Sequence, residues 1–156
     1  MQKTNAMRIL DKAGIPYKTA EYPVDENDLS GTHVADSVGM PYESVFKTLV
    51  ARGDKTGIIV LCIPVDAELD LKKAARASGN KKLDMVQVKE LLPLTGYIRG
   101  GCSPIGMKKS YPTFLDEVAT LQEEIAVSAG VRGGQLLLKP DDLVMYTKAT
   151  VADLTV

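Results

Sequence analysis

Two cysteines, a single histidine and no long hydrophobic run set the first limits on this chain. His33 stands alone, with no Ser or Cys motif beside it and no Gly-x-Ser-x-Gly elbow elsewhere, which argues against a Ser-His-Asp hydrolase. One histidine and two distant cysteines give no zinc-ligand spacing. Cys62 lies in an apolar run and Cys102 in a glycine-rich loop, so neither suggests a disulfide framework, and a reducing compartment fits. Neither a Walker A sequence nor a dinucleotide fingerprint is present. The longest uncharged apolar stretch, residues 57–65, is far too short to cross a bilayer. The start of the chain carries Lys3, Arg8 and Asp11 in a helical pattern without a hydrophobic signal core, so a cytoplasmic location and no membrane partner are expected. Internal repeats and low-complexity tracts are also missing. Nineteen basic and twenty acidic side chains leave a net charge of −1. Overall charge therefore does not point to nucleic acid, and any such binding needs a local basic patch.

What is present is ordinary globular material. A chain of 156 residues, 45% apolar and 25% charged, predicts one domain over 1–156 with a substantial core. Asn5 reads as an N-cap before Ala6, Ile9, Leu10 and Ala13, and Gly14 closes that helix. Tyr17 to Tyr22 reads as a short strand, Asp25 to Ser30 as a loop, and Thr32 to Val38 as a second helix. Strands at Ser44–Arg52 and Gly57–Pro64, joined by Gly53-Asp54-Lys55-Thr56, predict an antiparallel hairpin. Asp70 caps a helix ended by Gly79, and Met85, Val88 and Leu92 mark another, stopped by Pro93. Tyr111–Leu115, Glu124–Ser128 and Gln135–Lys139 read as extended. A helix from about Asp141 to Lys148 and an edge strand within Val151–Val156 complete the chain. The class is α/β or α+β with a mixed sheet.

Three features could carry chemistry. The stretch from Gly96 to Lys109 holds four glycines, and paired glycines let backbone approach a ligand, while successive N–H groups can form an anion or oxyanion site. The same composition also suits a tight connection. Lys47 sits mid-strand on the face of Val45 and Leu49, opposite Phe46, Thr48 and Val50, and is either an edge-strand guard or a cation aimed into a pocket. The turn Ser128-Ala129-Gly130-Val131-Arg132-Gly133-Gly134 either closes a pocket with the first loop or merely connects a hairpin. Lys72, Lys73 and Arg76, then Lys81, Lys82, Lys108 and Lys109, form basic clusters that read as solvated faces, or as a phosphate-backbone footprint if they gather at a pocket mouth.

Val45-Phe46-Lys47-Thr48-Leu49, Leu69-Asp70-Leu71-Lys72-Lys73-Ala74-Ala75, Thr95-Gly96-Tyr97 through Gly100-Gly101-Cys102-Ser103-Pro104-Ile105-Gly106, and Val127-Ser128-Ala129-Gly130 resemble the YbaK/EbsC family. These are free-standing aminoacyl-tRNA deacylases related to the editing domain inserted in bacterial prolyl-tRNA synthetases. The resemblance covers essentially the whole chain. It implies a compact α/β fold around a mixed, partly barrel-like sheet, and release of cysteine from mischarged Cys-tRNA(Pro) by attack of water or of the substrate's own thiol. It implies tRNA(Pro) as partner, prolyl-tRNA synthetase as a second candidate partner, and no cofactor or metal. It makes Lys47 the residue on which activity depends and carries the loop glycines onto Gly100 and Gly101. The substrate pocket falls on Tyr22, Ser128 and, through Pro140-Asp141-Asp142-Leu143, Asp142, with Phe46, Thr48, Ser103 and Pro104 from the two motifs. Lys72, Lys73, Lys108 and Lys109 are the candidates for tRNA backbone. Gly134 stands where a leucine is more usual, which loosens the second turn, and Cys102 occupies a variable position and is not assigned as a nucleophile. The alternative is a non-catalytic module that holds tRNA ends or nucleotides.

Overall fold

The computed structural model describes residues 1–156. The chain opens with α1 (Asn5–Ala13), β1 (Lys18–Glu21) and α2 (Gly31–Val38), then the hairpin β2 (Phe46–Gly53) and β3 (Gly57–Pro64). Helix α3 (Leu71–Ser78), strand β4 (Leu83–Met85) and helix α4 (Val88–Thr95) follow. After the glycine loop come β5 (Thr113–Asp116), β6 (Ile125–Ser128), β7 (Gly134–Leu138), α5 (Pro140–Thr147) and β8 (Thr150–Ala152).

The strands form two sheets, not a closed barrel. The smaller is antiparallel in the order β1-β7-β6, and the larger is mixed in the order β4-β2-β3-β5-β8. A single parallel bridge, Val45 to Ala126, ties one to the other where β2 begins. Strand β3 is buried on both faces, which is why its sequence is a continuous apolar run rather than an alternating one. Val60 and Cys62 join the main core with Leu10, Leu115, Ile125 and Leu136, while Ile59, Leu61 and Ile63 pack on the far side with Ala74, Ala75 and Leu154.

Local chemistry sets the element ends. Helices α1 to α4 each close on a glycine with left-handed φ, at Gly14, Gly39, Gly79 and Gly96, as a side chain there would be strained. Asp70 caps α3 by accepting from the Lys72 and Lys73 N–H groups at 3.0 Å. Three expectations are corrected. The N-cap of α1 is Thr4 rather than Asn5. Met85 belongs to β4, whose three residues become a strand only by pairing with Ala51–Gly53. Pro93 lies inside α4: the Gln87–Glu90 capping box starts the helix, and proline forfeits one backbone bond without ending it.

Burial of Cys62 has a consequence at high pH. Desolvation pushes its thiol from the usual 9.0 up to about 12, because the thiolate has no room for water. A folded pKa raised above the unfolded one stabilises the protein fully below 9.0 and loses that contribution as pH climbs through about 12. Folding stability should therefore fall by roughly 3–4 kcal/mol from this group alone over that range. Thermal melts from pH 8 upward should show the decline, and Cys62→Val should make it shallower, with the partly buried Cys102 and Tyr97 supplying the part that remains.

Candidate active site

A cavity of about 410 Å³ lies along β2, walled by the α2 end, the β4–α4 connection, the glycine loop and the β6–β7 hairpin. Lys47 and Leu49 from one face of β2 and Phe46, Thr48 and Val50 from the other all line it. Residues of both faces can share one cavity only if it runs along the edge of the strand. The sheet order puts β2 between β3 and β4, so Lys47 is no edge guard in the ordinary sense, yet β4 covers β2 only at Ala51–Gly53. The edge is open from there back to the Val45–Ala126 bridge, and that opening is the cavity.

Lys47 is half-buried, and none of the chain's ion pairs involves it. Arg99 adds a second cation, while no Asp or Glu lines the cavity. Such a site favours an anionic or electron-rich ligand. Its other walls are largely apolar: Val45, Val65, Met85, Val86 and Leu91 surround the opening.

The two glycine-rich turns sit side by side. The Arg132 guanidinium donates to the Arg99 carbonyl at 2.8 Å. The Tyr97 hydroxyl donates to the Ile105 carbonyl, and its ring lies where a Cβ on Gly130 would stand. Gly101 touches the second turn so closely that an added Cβ would come within 3.1 Å of the Val131 carbonyl carbon and 3.2 Å of the Arg132 nitrogen. Gly100 has a left-handed φ of 85° and lines the cavity. The Gly101 N–H is already bonded to the Ile98 carbonyl at 3.0 Å, so it is not a free oxyanion donor; the N–H groups of Gly100 and Cys102 have no partner within the chain.

The remaining candidate residues divide. Phe46, Thr48 and Ser128 line the cavity with Lys47 and Gly100. Ser128 Oγ accepts from the Gly130 N–H at 3.1 Å, which leaves its proton available. Ser103 is buried and its Oγ accepts from Ile105 N–H, a structural contact within the loop. Pro104 faces a separate cleft beside α1 and α5. Tyr22 is half-buried beyond β1, with its N–H on the Gly133 carbonyl at 3.0 Å, and it does not line the cavity. Asp142 sits in the first turn of α5, where a carboxylate suits the helix N-terminus, and it does not line the cavity either. Lys73 is paired with Asp153 at 2.9 Å and donates to the Thr155 carbonyl, and Lys72 is exposed on α3. Lys108 and Lys109 are exposed at the far end of the glycine loop, and none of these four lines the cavity.

Two polar cavity residues, Arg99 and Gln135, were not singled out in the sequence. Gln135 is 5% exposed and opposes Ser128 across the β6–β7 hairpin, and its Oε1 has no hydrogen-bond partner. A glutamine opening the apolar run Gln135-Leu136-Leu137-Leu138 is the only signal that could have pointed to it. Cys102 lines the cavity too, but burial pushes its thiol up to about 11, so it stays protonated at neutral pH. No group of His, Cys, Asp and Glu is arranged to hold a metal ion.

The two-sheet α/β fold is that of an aminoacyl-tRNA editing domain. Residues 30–146 match the family model for the aminoacyl-tRNA editing domain, and the chain belongs to that family. It is 51% identical over 154 residues to EbsC of Enterococcus faecalis, provisionally named a Cys-tRNA(Pro)/Cys-tRNA(Cys) deacylase; the match covers 99% of this chain and 94% of EbsC. A proline–tRNA ligase of Thermosipho africanus is 29% identical over 59% of this chain, a match that spans 16% of the ligase. A crystal structure provisionally described as a trans-editing enzyme for prolyl-tRNA synthetase superposes with a TM-score of 0.86 at 29% identity, covering 100% of this chain and 99% of that one. No helix is long and apolar enough to cross a membrane.

Proposed function

We propose that this chain is a trans-editing aminoacyl-tRNA deacylase that releases cysteine from Cys-tRNA(Pro), working as one domain in the cytoplasm. The observation that carries the reading is Lys47: an unpaired ammonium in a cavity without carboxylates, beside a loop with free N–H groups. The 51% identity to EbsC supports the substrate class, and the likeness to part of a proline–tRNA ligase supports tRNA(Pro) and a working relationship with the synthetase.

An aminoacyl ester is already reactive, so positioning and electrostatics suffice. Lys47 reaches the ester region and orients it, Arg99 holds the terminal phosphate, and the Gly100 and Cys102 N–H groups receive the carbonyl oxygen as negative charge develops. In the thiol route the substrate's sulfur bonds to its own carbonyl carbon, the ester C–O bond breaks, and the thiol proton ends on the ribose oxygen. In the water route the water oxygen bonds to the carbonyl carbon, the same C–O bond breaks, one water proton ends on the ribose oxygen, and cysteine leaves with a free carboxylate as the other proton goes to solvent. Ser128 lines the aminoacyl pocket on either route.

The protein's own thiols take no part. Cys102→Ala should keep activity within a few-fold, and its alkylation by iodoacetamide should be slow below pH 9, because the thiol titrates at about 11. A hundredfold loss on that substitution would put a protein nucleophile back into the mechanism. The reading as a whole is tested by incubating charged tRNA(Pro) with substoichiometric protein and following ester loss with time. Retention of tRNA without ester loss would instead favour the binding module.

A further inference from the structure

Between the Val45–Ala126 bridge and the β4 pairing, no strand pairs with the outer edge of β2. Val45 accepts from Val65 on the β3 side, and Val50 accepts from Val86 on the other. Alternation along a strand then directs the N–H and C=O of Thr48, like those of Val50, away from β3 and toward the cavity. Thr48 opposes Cys62 in the β2–β3 ladder without exchanging bonds with it, β4 reaches β2 only at Ala51, and the Val45–Ala126 bridge lies three residues back. On that side no strand ladder or bridge includes Thr48. Unpaired strand edges are normally covered or blunted, and this one is left open inside the cavity.

We propose that Thr48 binds the aminoacyl unit of the substrate as a neighbouring strand residue would: its N–H donates to the ester carbonyl and its C=O accepts from the α-ammonium. This rests on the deacylase reading and specifies what that site recognises. The N–Cα–C=O unit of an aminoacyl ester is the unit that each residue offers in a hydrogen-bonded antiparallel pair, so two bonds form with no side chain involved. The carbonyl oxygen has two lone pairs and the oxyanion that develops from it has three, so a bond from Thr48 still leaves acceptor capacity for the Gly100 and Cys102 N–H groups as charge builds. With no carboxylate in the cavity, a main-chain carbonyl is the acceptor that can meet an ammonium without neutralising Lys47.

The pairing also fixes handedness. Directly opposed residues place their side chains on the same face of the sheet. An L-aminoacyl side chain would therefore lie on the Thr48 face, and a D-aminoacyl side chain would be turned to the Lys47 face. Amino acids are read here by their backbone and chirality, with side-chain selection left to the walls around Ser128.

The test keeps the protein intact and varies the ester. The same tRNA acceptor is charged with L-cysteine, D-cysteine or 3-mercaptopropionate, which keeps the thiol and lacks the amine, and each release rate is divided by its spontaneous rate. The enhancement should fall at least about tenfold for both the D and the desamino esters. A smaller drop for either overturns the proposal. A second readout does not depend on turnover: the Thr48 amide should exchange rapidly in the free protein and become protected on adding the 3′-amide analogue of L-cysteinyl-adenosine. If the L ester is not released at all, the deacylase reading fails, and the amide measurement still decides the pairing: an unprotected Thr48 N–H while other cavity amides shift overturns it.

Discussion

Replacing Lys47 with alanine should lower deacylation of Cys-tRNA(Pro) about a hundredfold or more while leaving the fold intact. The side chain contributes little to folding, since it makes no ion pair and stands half-buried at a cavity wall. Its charge is another matter. A preorganised cation beside developing negative charge, in a site shielded from water, is worth a factor of about 10²–10³ when removed. Lys47→Arg should fail almost as badly, because a planar guanidinium neither fits the space of an ammonium nor is hydrated like one. Single-turnover rates would separate this from weaker binding. Loss in kcat at saturating substrate is expected, and a change confined to KM would reduce Lys47 to an anchor for the tRNA end.

Gly101→Ala should cost nearly as much activity by a different route. The Gly101 Cβ would meet main-chain atoms of Val131 and Arg132 at 3.1 and 3.2 Å, and backbone cannot rotate away as a flexible side chain can. The two turns must separate, and with them the Arg132–Arg99 bond and the position of the Gly100 N–H. A loss of ten- to a hundredfold in rate is expected, with roughly 1–3 kcal/mol of stability from the overpacked contact. Gly101→Val should be worse on both counts. Unchanged activity in Gly101→Ala would mean that the contact between the turns does not position the site. The same substitution at Gly14, which has nothing within 4 Å of its added Cβ and does not line the cavity, makes a suitable control: its left-handed φ of 71° brings backbone strain without a steric clash, whereas Gly101 brings the clash without a positive φ.

Much of this was legible in the residues, and the failures have physical causes. The β2–β3 hairpin, the glycine-closed helices and the alternation that sets Lys47 apart from Phe46 and Thr48 all depend on neighbours along the chain, where periodicity speaks directly. Strand β4 could not be read, because Leu83–Met85 is extended only by virtue of pairing with Ala51–Gly53. The partly barrel-like sheet implied by resemblance is two sheets with one bridge, a matter of long-range closure that no local pattern encodes. Within the site, the motif residues Phe46, Lys47, Thr48, Gly100 and Ser128 come together around one cavity. Gly101 keeps its place for steric reasons, its N–H being spent on Ile98. Resemblance put a carboxylate at Asp142, which lies in the first turn of α5. The polar group facing Ser128 is instead the neutral Gln135, visible only once the β6–β7 register is known.

That neutrality matters to the whole account, because an acid beside Lys47 would quench the charge on which the reaction depends. The decisive measurement is the time course of cysteine release from Cys-tRNA(Pro) by the wild-type protein at a hundredth of the substrate concentration, run beside Lys47→Ala. Many turnovers by the wild type, and release no faster than in buffer by the variant, is the predicted result. Equal release by the two proteins, or tight retention of the tRNA with its ester intact, would contradict it.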